Sequence, residues 1–374
     1  PILERSEVFL HSLGNETDVV QKEMYAFEDR GGRHLALRPE GTAGVMRALA
    51  NLGVVDGEEH RVYYLGPMFR GERPAAGRRR QFHQIGVECV GRVSPGHDVE
   101  CLAMLLHFLD SIGITQRTLL LNTRGTAEDR EPARLALRDY FAGHLAALCP
   151  DCQRRHETNV WRILDCKVPT CQPIIVAAPD TAALLGQPSR DYFAQVCAGL
   201  DALGIPYQVE KRLVRGLDYY CHTVFEVIAE GLGAQNTLAG GGRYEIQPPG
   251  GKRSLAGVGY AAGVERLLLV RAHLGCQTPP ARLVSCYLVS LGAAAQAHQV
   301  RLAQTLRQAG IPVMLDLEGR GMKAQMKAAN RCQARYALIL GDNELTAGQM
   351  LVRDLDSGVQ QTLPLTGVLE WAKA

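Results

Sequence analysis

No stretch of this 374-residue chain sustains the roughly 20 consecutive apolar residues that a membrane-crossing helix needs, which excludes an α-helical membrane protein. No charged, apolar and small-residue leader pattern opens it either. An excess of one charge sign is also missing. Lys and Arg number 41 against 39 Asp and Glu, and the resulting +2 is too small to mark a bulk nucleic-acid binder, so any RNA contact has to rest on local basic patches. The 11 cysteines form no short secreted disulfide framework, which argues for reduced thiols in a cytoplasm. No repeat or low-complexity tract stands out. What remains is the balance of a soluble globular protein, 46% hydrophobic and 21% charged, long enough for two or three domains around a sizeable core.

Up to about residue 121, short apolar strands alternate with glycine-rich turns. Residues 62–65 and 85–90 read as strands, and 98–112 as a helix with Leu102, Leu105, Leu106 and Leu109 on one face. From about 125 to 205 helical patterns dominate, which predicts an inserted helical subdomain. Strand character returns at 207–228 and 257–263, then yields to a helix at 264–274. Gln277-Thr-Pro-Pro280 is the best linker, because consecutive prolines neither continue a helix nor join a central strand. Beyond it the pattern runs strand 286–290, helix 293–309 with Leu302, Leu306 and Ala309 on one face, strand 311–315, helix 322–333 and strand 336–340. That alternation predicts a compact α/β domain with a mainly parallel or mixed sheet.

Six stretches concentrate polar chemistry. Arg38-Pro-Glu-Gly-Thr-Ala43 sets the Glu40 carboxylate and the Thr42 hydroxyl around the flexible Gly41, a concentration of acceptors that suits an amino acid's ammonium group. Thr42 is equally placed to cap a helix over 43–52. Gly66-Pro-Met-Phe-Arg-Gly-Glu-Arg-Pro74 and Arg78-Arg-Arg-Gln-Phe-His-Gln-Ile-Gly-Val-Glu88 read as two strands flanking a basic loop, whose arginines interleave with Phe82, His83 and Gln84 as a solvated face rarely does. On the second strand residues 84, 86 and 88 share a face, so Gln84 and Glu88 present an amide and a carboxylate to one pocket across the small Gly86. Leu213-Val-Arg-Gly-Leu-Asp-Tyr-Tyr220 suits a polar pocket better than a core strand, and a half-buried strand with an Arg215–Asp218 ion pair is its other reading. Gly240-Gly-Gly-Arg-Tyr244 permits positive φ and close approach, as in a loop packed on a ligand. Gly257-Val-Gly-Tyr-Ala-Ala-Gly-Val-Glu-Arg-Leu267 reads as a strand running into a helix.

Taken in chain order, these stretches resemble the signatures of bacterial-type histidyl-tRNA synthetases, a class II aminoacyl-tRNA synthetase family, over nearly the whole sequence. Residues 66–88 are similar to class II motif 2, 257–267 to motif 3, and 17–33 to motif 1 with its hairpin; 213–220 and 240–244 resemble the two histidine-specific signatures. The resemblance implies an α+β fold. A class II antiparallel sheet flanked by helices would occupy 1–275, with a helical insertion at about 125–205, and a C-terminal α/β anticodon-binding domain would occupy 281–374. It implies a cytoplasmic homodimer that activates L-histidine with Mg2+-bound ATP to the adenylate and transfers it to the 3′ end of tRNA-His, with no tightly bound cofactor. Glu40, Gly41 and Thr42 would hold the α-amino group, Gln84 the amino and carboxylate end, and Glu88 and Tyr220 the imidazole. Tyr219 would form the pocket wall, with Tyr244 of the second signature in the same site. Arg70 and Arg215 would neutralise the α-phosphate, and Glu72 would accept from the adenine amino group. Phe82 and Arg266 would sandwich adenine, and Arg78 and Arg80 would reach the ATP phosphates and the tRNA acceptor end. A pocket that hydrogen-bonds its ligand rejects apolar analogues, so no editing domain is required.

The chain also departs from the family. Gly71 stands where an aromatic residue or His is usual, which puts the packing of the motif 2 loop in question. The chain opens at Pro1-Ile-Leu-Glu4 where the family carries a further strand and helix, and Ile246-Gln-Pro-Pro-Gly-Gly251 is shorter than the family's segment. Cys149, Cys152, Cys166 and Cys171 could supply four thiolates, but the spacing of the second pair is looser than a usual zinc knuckle, and no metal ligand is assigned. Lys323, Lys327 and Arg331 make one basic helix face, either merely solvated or in contact with the anticodon stem. The principal rival is a non-catalytic histidine-sensing paralogue, the regulatory subunit of ATP phosphoribosyltransferase, which lacks the anticodon domain.

Overall fold

Alternating side chains over 60–69 and 81–90 give two ten-residue strands, His60–Phe69 and Gln81–Val90, paired antiparallel with Val62 opposite Glu88 and Tyr64 opposite Gly86. In the computed structural model they form one edge of a seven-stranded sheet. Its order continues through Leu255–Gly263, Thr237–Ile246, Tyr220–Ile228 and Thr118–Thr123 to Gln208–Val209. Every pairing is antiparallel except the last. The structure describes all residues except 15–16, 55–57, 76, 231–235, 250, 252, 277–282 and 374, so the proline linker lies outside the described residues. Two compact units result, Pro1–Gln277 and Thr278–Ala374.

The helix Pro95–Ser111 buries Leu102, Leu105, Leu106 and Leu109 against the sheet together with Val196 and Leu200 of the helix Gln187–Ala202. Four helices, Ala127–Ala142, Pro150–Thr158, Gln172–Val176 and Gln187–Ala202, fill the stretch between the Thr118–Thr123 and Gln208–Val209 strands. Strands Leu3–Arg5, His34–Leu37 and Ala26–Glu28 form a separate small sheet with His34–Leu37 in the centre.

Two expectations are corrected in this unit. The strand over 207–228 is broken: residues 210–219 leave the sheet, because the buried Asn122 amide captures the carbonyls of Lys211 at 3.2 Å and Leu213 at 3.0 Å. The triple glycine is no loop. Gly240, Gly241 and Gly242 lie within the Thr237–Ile246 strand, between the strands Leu255–Gly263 and Tyr220–Ile228. A Cβ on Gly241 would collide with the Gly259 carbonyl, and one on Gly240 would sit 2.6 Å from the Arg215 guanidinium. Glycine is needed there for close approach, as the sequence suggests, but inside a sheet.

The second unit orders its strands Val313–Leu315, Cys286–Leu291, Tyr336–Gly341, Gln349–Asp354 and Gln360–Pro364, the first three parallel and the last two added antiparallel. The buried stripe of helix Ala293–Gln308 is Ala295, Gln299, Ala303 and Leu306, while Ala309 is exposed and Leu302 half-buried. Gln299 belongs inside because its amide donates to the carbonyls of Val289 at 2.8 Å and Leu338 at 3.1 Å. A polar residue on the core face hides the true stripe from a hydrophobicity pattern. Among the described residues no helix is long and apolar enough to cross a membrane.

Candidate active site

One pocket in the first unit collects side chains from five strands, three loops and the starts of two helices. At its closed end the Glu40 carboxylate accepts the backbone N–H groups of Thr42 and Ala43, each at 2.8 Å, and so terminates the helix Thr42–Asn51. The expected Thr42 cap is therefore corrected. Glu40 does the capping, which frees the Thr42 hydroxyl to donate to Glu88 Oε1 at 2.7 Å. Beside this bond, Gln84 Oε1 is buried without a hydrogen-bond partner, and Glu88 Oε2 and the Tyr244 hydroxyl have none beyond each other. Stranded acceptors converging on one cavity mark a place where a ligand supplies the donors. Burial pushes the Glu88 carboxyl up to about 8, opposed by the Thr42 hydroxyl; burial also raises Glu40, opposed by its two backbone donors.

Glycines make room for this end. Cβ atoms on Gly41 or Gly86 would strike the Tyr64 ring, and one on Gly259 would strike the Glu88 carboxylate. Tyr64 is thus clamped between two glycines, and burial lifts its phenol well above the usual tyrosine range, so it stays protonated beside both carboxylates.

The opposite end is cationic. Arg70 donates to the Pro39 carbonyl at 2.8 Å and lies 5.5 Å from the Phe82 ring centre. Arg266 is braced by the carbonyls of Gly77 at 2.9 Å and Thr237 at 2.8 Å, and its guanidinium pKa is lowered by burial and by the neighbouring Arg70 and Arg78. Arg78 pairs with Glu72. Arg215 pairs with Glu226 and stands over the Tyr220 ring at 5.9 Å, so the alternative Arg215–Asp218 pair is not formed. Asp218 instead keeps company with Arg124 and Arg130, the latter donating to its backbone carbonyl at 3.0 Å.

All the expected pocket residues line this cavity except Gly41, which packs behind Tyr64, and Arg80, which is exposed and donates to the Glu72 carbonyl at 3.4 Å; Arg79 lines the cavity in its place. The Gly71 departure has a local reason. Its N–H donates to the Glu23 carbonyl at 2.6 Å, and a Cβ would press on that same oxygen at 3.3 Å.

Comparison with known proteins decides the family. A histidyl-tRNA synthetase family model matches residues 1–129, and an anticodon binding domain model matches residues 285–374. The histidine–tRNA ligase of Syntrophotalea carbinolica is 45% identical over 372 residues, covering 98% of this chain and 88% of the relative. That of Geobacillus kaustophilus is 45% identical, covering 98% and 87%. The chain belongs to the histidyl-tRNA synthetase family. The crystal structure of the Staphylococcus aureus apo histidyl-tRNA synthetase superposes with a TM-score of 0.81 at 34% identity, covering all of this chain and 90% of the other. A Bacillus halodurans protein titled as an ATP phosphoribosyltransferase regulatory subunit/histidyl-tRNA synthetase shares the fold, with a TM-score of 0.60 at 19% identity.

Several residues lining this pocket escape a reading of the sequence. Tyr64 shows only as one aromatic among alternating residues, and its signal is the glycine across the sheet at position 86. Glu226 and Thr237 come from neighbouring strands, where Thr237 donates to Glu226 at 3.1 Å. Glu265 accepts the His83 N–H at 2.9 Å and contacts His83 Nδ1 at 2.9 Å, pinning the motif 2 strand to the start of the motif 3 helix. Outside the pocket, Lys323, Lys327 and Arg331 are exposed on the helix Met322–Arg331.

Proposed function

We propose that this chain is a histidine–tRNA ligase that uses the pocket for both half-reactions. The observation that carries the reading is the pocket's polarity: buried, under-bonded carboxylate and amide oxygens at one end, and Arg70, Arg78, Arg215 and Arg266 at the other. Histidine offers an ammonium group and an imidazole to the first end and its carboxylate to the second. Glu40, Thr42 and Gln84 hold the ammonium group, while Glu88 and Tyr220 meet the two ring nitrogens. The histidine carboxylate oxygen attacks the α-phosphorus of Mg2+-bound ATP, the bond to the β-phosphate bridging oxygen breaks, and pyrophosphate leaves. Arg70 and Arg215 stabilise the charge on the pentacoordinate phosphorus. The tRNA 3′-terminal ribose hydroxyl then attacks the carbonyl of the adenylate and AMP departs. Holding both reactants in register supplies much of the acceleration. Histidine-dependent ATP–pyrophosphate exchange, run beside the other amino acids, tests the assignment, and exchange driven equally by another amino acid would overturn it.

The regulatory-paralogue reading is less well supported, because an anticodon binding domain model matches 285–374 and the arginine set of the pocket is complete. A homodimer fits the outer strand His60–Phe69, where Tyr63 is 81% and Leu65 66% exposed, and the small sheet, where Leu3 and Phe27 are also exposed. Apolar side chains on an unpaired edge suit burial against a second copy.

Glu88→Gln is expected to weaken histidine about ten- to hundredfold while ATP affinity stays put, since a hydrogen bond to a charged group contributes about 1.5–3 kcal/mol. The same group sets a pH dependence. With burial pushing its carboxyl up to about 8 in the empty site, offering an N–H a charged acceptor, the stronger partner, requires loss of a proton below that pH. Histidine affinity should therefore rise by up to about tenfold per unit as pH climbs from 6 toward 8, and Glu88→Gln should flatten that slope. Calorimetric titration across this range checks both, and an unchanged histidine Kd in the variant removes Glu88 from the ring contact.

Deleting residues 281–374 is expected to spare adenylate formation and to lower tRNA charging by more than about tenfold, equivalent to at least ~1.4 kcal/mol of lost tRNA recognition. Full charging by a folded truncated protein would sink the anticodon role of this unit.

A further inference from the structure

We propose that Cys149, Cys152, Cys166 and Cys171 form a structural zinc site within the helical insertion. The four residues come from three local elements. Cys149 precedes the helix Pro150–Thr158, Cys152 lies in its first turn, Cys166 follows the short turn Val160–Ile163, and Cys171 closes the turn Pro169–Cys171. Their sulfurs nevertheless converge, all within 4.8 Å of one another, with three of the four residues buried. The loose spacing of Cys166 and Cys171, which argues against a knuckle in the sequence, is taken up by that last turn, which folds Cys171 back onto the cluster.

The separations select among the chemistries open to four thiols. A zinc ion bound at about 2.3 Å holds its four sulfurs roughly 3.8 Å apart in a tetrahedron. Cys149 and Cys166 already stand 3.9 Å apart. A disulfide needs about 2.0 Å between two sulfurs and gives no reason for two pairs to meet. An iron–sulfur cluster places several irons and sulfides between its cysteines and requires a wider cage. Buried cysteines do serve as small apolar residues, but packing alone gives no reason for four of them to share one point.

The surroundings are those of a thiolate cluster. The Cys149 N–H donates to Cys171 Sγ at 3.2 Å and the Val168 N–H to Cys166 Sγ at 3.4 Å, the kind of donor that orients and neutralises metal-bound sulfur. With all four positions filled by protein the ion has no open site for substrate, so its role is structural. The cysteines share a core with Phe141, Trp161 and Val214, and Val214 immediately precedes Arg215. The ion thereby anchors the insertion against the segment that carries the pocket arginine.

Elemental analysis of the full-length protein, purified without chelators from zinc-supplemented cells, is expected to give about one zinc per chain. Titration with a mercurial in the presence of a zinc-binding dye should release it, and replacement by cobalt(II) should give thiolate charge-transfer and tetrahedral d–d bands. Cys152→Ser and Cys171→Ser are expected to lose the metal, whereas Cys197→Ser and Cys286→Ser, outside the cluster, keep it. Should the cluster variants fail to fold, the release and cobalt spectra of the unaltered protein still decide the matter. Metal-free protein whose four thiols alkylate freely in the native state, a mass showing disulfides among them, or iron with acid-labile sulfide would each overturn the assignment.

Discussion

Arg215→Ala is expected to slow histidine-dependent pyrophosphate exchange by at least about 10²–10³, the usual cost of removing one preorganised donor from a developing charge. In the free protein Arg215 is held by Glu226 and backed by the face of Tyr220 and the glycine at 240. An α-phosphate can draw the guanidinium from Glu226, because the Thr237 hydroxyl remains as a partner for that carboxylate. Both ends of the ion pair are 21% exposed and line the pocket, so its loss should cost stability less than the roughly 3–5 kcal/mol of a fully buried pair. The catalytic reading therefore predicts a loss of chemistry far larger than any fall in melting temperature. A purely structural pair predicts lowered stability with retained turnover. Single-turnover adenylation and thermal unfolding measured on the same variant separate the two, and near-normal adenylation would end the catalytic role.

Arg243→Ala should produce the reverse pattern, a fall of about 3–5 kcal/mol in stability, as expected when one partner of a fully buried ion pair is removed. Arg243 and Asp98 both have completely buried side chains, and the guanidinium Nε donates to Asp98 Oδ1 at 2.8 Å. The other carboxylate oxygen accepts the Thr223 hydroxyl at 2.6 Å and the Tyr192 hydroxyl at 3.1 Å. One carboxylate thus joins the helices Pro95–Ser111 and Gln187–Ala202 to two central strands of the sheet. Without Arg243 it is left charged, buried and half-satisfied. At about 2 °C per kcal/mol the melting temperature should drop by about 6–10 °C. Replacing both partners by apolar residues, Asp98→Leu with Arg243→Met, should recover part of the loss, since the pair's burial is itself costly. A melting temperature within 2 °C (~1 kcal/mol) of the unaltered protein for Arg243→Ala would show that the network carries little.

These two arginines also show where reading the sequence stops. Both lie in histidine signatures, yet Arg215 faces the pocket from a segment that leaves the sheet, while Arg243 is locked in the core from within a strand. The period-two face of Gln84, Gly86 and Glu88 was legible because a strand's side chains alternate whatever surrounds it, and the pocket does receive Gln84 and Glu88. Leu102, Leu105, Leu106 and Leu109 were legible for the corresponding reason in a helix. The cap of the helix Thr42–Asn51 is not legible in the sequence, since Glu40 and Thr42 are both competent acceptors and the choice depends on Glu88, 46 residues away, claiming the hydroxyl. Gly240–Gly242 read as a loop because close approach and turn formation ask for the same residue.

By itself, the sequence determined the family, the alternation of strands and helices over 286–340, and most of the pocket's chemical groups, because local periodicity and motif spacing survive without knowledge of contacts. Only the tertiary structure decided which groups are stranded and which are paired. Glu226 against Arg215, Asp98 against Arg243 across 145 residues, and four sulfurs gathered from 149–171 are set by strand register and chain reversal. Those depend on how the whole sheet closes, which no local pattern encodes.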